Sequence, residues 1–261
     1  MLAEIPYPIL VKSLVAGLLA SLACGLGALP LAIRGVDPEK HTGLAYGVAG
    51  GLMFAASVYN LILPGLTMGT SEINFAQAYK VVSGVLIGAA FLGAANRYLS
   101  PERLRQQAWQ RLGSRREILI FVAMAVHSIP EGVAVGVGYA SDEVLHQGLG
   151  TTIALAIGIH NIPEGLAVAV PLRAAGASLS KCFWAAVLTS IPQPIAALPA
   201  ALAAWFFQPL MPILMGFAAG AMIFLIVLEL IPEALESESA QHIAWAFMLG
   251  FCVMLMVQVI L

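Results

Sequence analysis

Two stretches of this chain, Ala125-Val-His-Ser-Ile-Pro-Glu-Gly-Val-Ala-Val-Gly-Val137 and Gly158-Ile-His-Asn-Ile-Pro-Glu-Gly-Leu-Ala-Val-Ala-Val170, repeat one pattern, so that His127 is answered by His160 and Glu131 by Glu164. They lie within the apolar segments 117–140 and 149–172. Each segment is long enough to cross a bilayer, for which a helix needs about 20 residues. The offset between the copies is one helix plus one loop, so they are expected to run antiparallel and to meet in opposite senses. Barrel strands would alternate apolar and polar residues. These runs are continuously apolar, and in lipid the backbone must satisfy its own hydrogen bonds, so the reading is helical.

The same reading extends outward along the chain. Of 261 residues, 60% are hydrophobic and 10% are charged, with a mean hydropathy of +0.92. Soluble domains carry about 25% charge, which excludes an ordinary water-facing domain. Further apolar segments run 8–33, 43–66, 75–99, 180–205, 209–232 and 241–261. With the central pair they make eight spans in a single polytopic membrane domain, 1–261. The expected fold class is an all-α integral membrane protein with eight transmembrane helices and inverted-repeat character. Pro8–Ile33 lacks a basic n-region and reads as the first span rather than a signal peptide. Glycines at 47, 50 and 51, and at 216 and 220, are small-residue steps that allow close helix contact.

Orientation follows from the basic residues of the loops. With the N-terminus outside, the cytoplasmic side holds Arg34, Lys40, Arg97, Arg103, Arg105, Arg111, Arg115, Arg116, Arg173 and Lys181, leaving only Lys12 and Lys80 outside. Eight spans then place the C-terminus outside as well. The one longer loop, 100–116, is cytoplasmic and reads as a topological anchor, not a nucleic-acid patch. Cys24, Cys182 and Cys252 have no CxxC neighbour and read as small packed residues. His41, His146 and His242 fall at span edges and read as solvated.

The chemistry lies in the repeat. His and Glu at i and i+4 share one helix face, giving His127 with Glu131 and His160 with Glu164. All four sit in mid-span, where a charged group costs several kcal/mol. Such groups need partners, and a divalent cation is a good one. Two imidazoles and two carboxylates suit zinc or a similar first-row ion. Pro130 and Pro163 cannot donate to the carbonyls of Val126 and Ile159, which frees two more oxygens beside the ligands. Inverted pairs of broken helices around a midplane site are a feature of transporters.

At these residues the sequence resembles the ZIP family (Zrt-, Irt-like proteins) of divalent metal transporters, with His127-Ser-Ile-Pro-Glu-Gly132 and His160-Asn-Ile-Pro-Glu-Gly165 in place of that family's metal motifs. Gly51-Leu-Met-Phe-Ala-Ala-Ser-Val-Tyr-Asn-Leu-Ile-Leu-Pro64 and Ala218-Ala-Gly-Ala-Met-Ile-Phe-Leu-Ile-Val-Leu-Glu-Leu-Ile-Pro-Glu233 resemble its second and seventh helices. The resemblance implies a binuclear site in which His127, Glu131, His160 and Glu164 hold one metal and Asn161 helps with a second. Ser128 and Gln193 stand where many members have Asn and, in some, an acid, so the second site is expected to be weaker or absent. The resemblance also implies a pathway, with Met53 and Asn60 on the way in, Glu229 on the way out, and Glu233 at the cytoplasmic mouth. A homodimer and an elevator-like movement of the helices bearing the repeat follow from the resemblance alone.

The expected function is therefore import of zinc, and of iron, manganese or cadmium, into the cytoplasm by a multi-pass protein of a bacterial cytoplasmic (inner) membrane. The metal is cargo and no cofactor is implied. The rival readings are an intramembrane metallohydrolase and a non-transporting scaffold. The first predicts substrate turnover by the purified protein. The second predicts that alanine at His127 and Glu131 leaves metal uptake untouched.

Overall fold

The computed structural model describes residues 7–33, 38–68, 75–99, 115–145 and 148–260. Most of the 100–116 loop, together with His146, lies outside them, as does the side chain of His41. Among the described residues there are only helices and their connections. Long runs of Leu, Ile, Val, Ala and Gly close the i to i−4 ladder, and no strand competes.

Among the described residues eight long helical segments follow one another. The first, α1, is Tyr7–Leu26, and a short 3-10 turn, Leu29–Ala32, extends it. Next, α2 begins as Pro38–Ala56, passes through a π-helical turn at Ser57–Ile62 and ends as Leu63–Thr67. The third and fourth are α3, Phe75–Leu99, and α4, Arg115–Leu145. The fifth, α5, is Leu149–Ala174. α6 is broken into Leu179–Thr189 and Pro192–Phe206. α7 runs Met211–Leu225, turns once as a π-helix at Ile226–Leu230, and ends as Ile231–Ser237. The last, α8, is Ala240–Ile260. Seven of these are long and apolar enough to cross a membrane, and the remaining one, α4, carries the first copy of the repeat.

The surface is inverted relative to a water-soluble protein. Large apolar side chains face outward along α1 (Val11, Val15, Leu19), α3 (Val82, Leu86, Ile87) and α8 (Trp245, Leu249, Met256). The interior is built from small and flexible residues, including Met53, Ala197, Ala201, Met211, Met215, Ala218 and Ala219, all fully buried. Lipid tails are as apolar as leucine, so helices gain by close van der Waals approach, which small residues permit. Gly216 and Gly220 of α7 lie against the backbone of α3 at Val81 and Val85, and Gly51 of α2 against α8 at Phe247. A Cβ at any of these would meet a carbonyl oxygen.

These contacts sort the helices. α3 packs on α7, and α2 on α8. On the other side α1 packs on α5 and on both halves of α6, while α4 packs on α6 and α5. The two groups meet where α4 touches α7 and α5 touches α2. The repeat therefore sits at the junction.

Candidate functional site

α4 and α5 run antiparallel with Gly138 against Ile153 and Gly150 against Tyr139. Following that register down the pair brings Glu131 opposite His160, and their side chains meet, Oε1 to Nε2, at 3.3 Å. Both are fully buried. The same register sets His127 across from Glu164. The two copies of the repeat thus face each other crosswise, as their sequence order requires.

The glycine that ends each motif has a local role. Gly132 lies against the carbonyl of Gln193 on α6, and Gly165 against that of Cys24 on α1. Each lets a neighbouring backbone approach one residue beyond the glutamate. The prolines Pro130 and Pro163 lie within continuous helix, with the carbonyls of Val126 and Ile159 relieved of their usual donors.

The crosswise symmetry is broken at His127. Its Nε2 lies 3.4 Å from Oε1 of Glu229 on the π-helical turn of α7. The same Glu229 oxygen accepts a hydrogen bond of 2.7 Å from Nδ2 of Asn96 on α3. Asn96 carries no motif, and only the fold brings it here, across 133 residues of sequence.

A second polar layer borders the first. Asn161 donates through Nδ2 to the carbonyl of Ala20, at 3.0 Å, and to Oε1 of Gln193, at 3.1 Å. Ser128 donates to the carbonyls of Met124 and Thr189, each at 3.2 Å. The bond from Ser128 to Thr189 is made where α6 is interrupted between Thr189 and Pro192, its backbone carbonyls there accepting from α1 and α4. The carbonyl of Ser190 there accepts from Ser21 of α1 at 2.8 Å.

Several buried side-chain atoms have no hydrogen-bond partner. In and around the site they include Glu131 Oε2, Glu164 Oε1, His127 Nδ1, His160 Nδ1, Asn161 Oδ1, Gln193 Nε2 and both polar atoms of Asn60. An unsatisfied buried polar group costs about 1–3 kcal/mol, and more when charged. Among the described residues, no three His, Cys, Asp or Glu side chains are arranged around one metal position. The acids and imidazoles are instead gathered pairwise in one layer.

Of the pathway residues, Met53 is fully buried, Asn60 lies on the π-helical turn of α2, Glu229 on that of α7, and Glu233 is exposed one turn further on. Both π-helical turns are real i to i−5 closures, Leu63 N–H to the Val58 carbonyl and Ile231 N–H to that of Ile226. Each is followed by a proline, Pro64 or Pro232. Single π-helical turns are rare and frequent at functional sites. His242 is exposed and pairs with Glu238 at 3.0 Å. The cysteines are free. Cys24 and Cys182 are packed as expected, but Cys252 is exposed. It lies on the outward face of α8, where membrane helices need no polar partner for a thiol.

Fold and site together define a multi-pass membrane protein with ionisable residues gathered at the junction of two helix groups, the hallmark of an ion carrier. The family model for the ZIP zinc transporters matches residues 102–258. The zinc transporter GufA of Myxococcus xanthus is 37% identical over 91% of this chain and 95% of its own length. The zinc transporter ZupT of Corynebacterium aurimucosum is 33% identical over 91% and 92%. Human zinc transporter ZIP11 is 42% identical over 56% of this chain and 43% of its own length. The chain belongs to the ZIP family. That family is one of transporters, so the hydrolase and scaffold readings fall away.

Proposed function

We propose that this protein imports divalent transition-metal ions, zinc above all and also iron, manganese or cadmium, through the layer formed by His127, Glu131, His160 and Glu164. The observation that carries the reading is a spacing. Within the layer His160 Nε2 stands 3.3 Å from Glu131 Oε1, and His127 Nε2 stands 3.4 Å from Glu229 beside it. A charge-assisted N–H···O hydrogen bond is shorter, about 2.7–2.9 Å. Two ligands of one tetrahedral zinc, with bonds of about 2.0–2.2 Å, stand about 3.4 Å apart. The His160–Glu131 pair therefore has the spacing of metal ligands, and the unpartnered oxygens of Glu131 and Glu164 are free to complete a set.

A second ion beside the first would find Asn161 Oδ1 and the neutral Ser128 and Gln193, so that seat is the weaker one. Asn60 receives the cation on the way in past Met53, and Glu229 then Glu233 take it toward the cytoplasm. The chain spans the membrane eight times with α4 included and both termini outside. In a bacterial cytoplasmic membrane the potential favours entry of a divalent ion by about 4.6 kcal/mol per 100 mV. The division of the helices into two groups supports movement of α1, α4, α5 and α6 against the others, with a second copy of the chain steadying the latter as a homodimer. Carboxylate and imidazole ligands must be deprotonated, so binding releases protons.

The test is zinc and cadmium flux into proteoliposomes by the wild type, His160→Ala and Glu164→Ala. Metal-selective flux abolished by either change supports the site. Flux surviving both changes moves the site elsewhere, and no flux from folded wild type refutes import.

A further inference from the structure

We infer that Asn96 is a positioning residue for transport, holding the Glu229 carboxylate where it draws His127 away from Glu164 and so opens the way from the central layer to the cytoplasmic side. The inference rests on the reading of Glu229 as part of the exit path.

Three observations carry it. The first is geometric. One oxygen of Glu229 serves both neighbours, accepting from Asn96 at 2.7 Å and lying 3.4 Å from His127. The Asn96 bond is the short, well-formed one. The second is the broken symmetry. The antiparallel register places His127 across from Glu164, as it places His160 across from Glu131, yet only His160 meets its crosswise acid. His127 meets Glu229 instead, and Glu164 Oε1 is left without a partner. The third is mechanical. Glu229 stands on a π-helical turn, where the ladder is loosened and a side chain's direction is poorly fixed by its own helix. A partner from outside α7 is needed to aim it, and α3 supplies one.

The residue type fits the task. Lysine or arginine at 96 would hold the carboxylate but neutralise it and repel an arriving dication. An acid would repel the carboxylate itself. The amide donates one hydrogen bond, keeps the charge of Glu229 available, and adds none of its own. His127 then lies between two acids, Glu164 on the central side and Glu229 on the other, and a cation held by His127 can pass from the first to the second without losing its imidazole ligand.

The experiment is zinc flux into proteoliposomes for Asn96→Leu, Glu229→Gln and the double variant, with thermal midpoints measured in detergent. Asn96→Leu is expected to lower the maximal rate roughly tenfold, the worth of one hydrogen bond to a charged group, with little change in KM. In the Glu229→Gln background the same change is expected to have no further effect. Additive losses would overturn the role of Asn96 while leaving that of Glu229 standing. Wild-type flux in Glu229→Gln alone would overturn the reading of Glu229 and this inference with it. Should Asn96→Leu not fold, the shape-conserving swap Asn96→Asp with Glu229→Gln keeps the hydrogen bond with its polarity reversed. Flux restored by that swap would show the bond to be structural only and overturn the inference, whereas a folded, slow swap variant supports it.

Discussion

Gly165→Ala should be far more damaging than its chemistry suggests. One methyl group is added, and alanine is the better helix former. Gly165, however, lies directly against the Cys24 carbonyl of α1, and the new Cβ would fall within bonding range of that oxygen. Neither partner is a flexible side chain, so α1 and α5 must separate. Overpacking of this kind costs about 1–3 kcal/mol. The neighbouring residue is Glu164, and α5 also carries His160. Functional groups must be held within about 0.5 Å of their working geometry, so a shift of the helix as a whole disturbs the candidate site more than it disturbs the fold. The expected result is at least tenfold slower zinc flux, normalised to reconstituted protein, with a lowered thermal midpoint. Gly158→Ala, on the same helix, is the control. Nothing stands near its would-be Cβ, and alanine there gains about 1 kcal/mol of helix propensity, so flux should be unchanged and the midpoint equal or higher. Wild-type flux and stability in Gly165→Ala, or equal damage from both changes, would refute this account of the motif glycine.

Other expectations follow from the same contacts. Glu131→Gln keeps the shape of the side chain and its reach to His160 but removes its charge. Zinc flux should fall about 100-fold or more, beyond the 10–100-fold typical of residues that only support a metal ligand, while the protein purifies normally. Asp142 accepts from the Gly150 N–H at the start of α5, at 3.1 and 3.2 Å. Asp142→Ala should therefore lower stability by about 1 kcal/mol, as loss of a helix cap does, and should leave the KM for zinc unchanged. N-ethylmaleimide on the detergent-solubilised protein should label Cys252 alone, as intact-mass spectrometry would show by a single adduct, because Cys24 and Cys182 are buried.

What the sequence made legible was whatever depends on residues near one another in the chain. Apolar runs named the helical membrane class, and the doubled His-x-x-Pro-Glu-Gly pattern named His127, Glu131, His160 and Glu164 as candidates on two antiparallel helices, though as i, i+4 pairs along each helix and not as the crosswise meeting of Glu131 with His160. The contacts that break this symmetry were not legible. Glu229 stands about a hundred residues from His127, and Asn96 is a single amide in an apolar run with no repeat to flag it. Nor did composition reveal the break in α6. Gln193 was read only for its side chain, and the carbonyls that the break beside it turns toward Ser21 and Ser128 depend on where α1 and α4 pack. The exposure of Cys252 was missed because hydropathy along a span does not say which face meets lipid and which meets protein.

The π-helical turns of α2 and α7 have a consequence for reading any chain of this kind. Each accommodates one residue more than an α-helix would over the same rise, so the wheel of side-chain directions slips in phase by about 100° at Ser57–Ile62 and again at Ile226–Leu230. A periodicity fitted to the first half of either helix assigns the wrong azimuth to everything after it, including Pro64 in one and Glu233 in the other. Insertions or deletions of a single residue, ordinarily ruinous inside a membrane helix, have at these two places somewhere to be absorbed. The bulges are dislocations that the lattice of the helix already tolerates, and they mark where sequence length can drift without the spans on either side losing register.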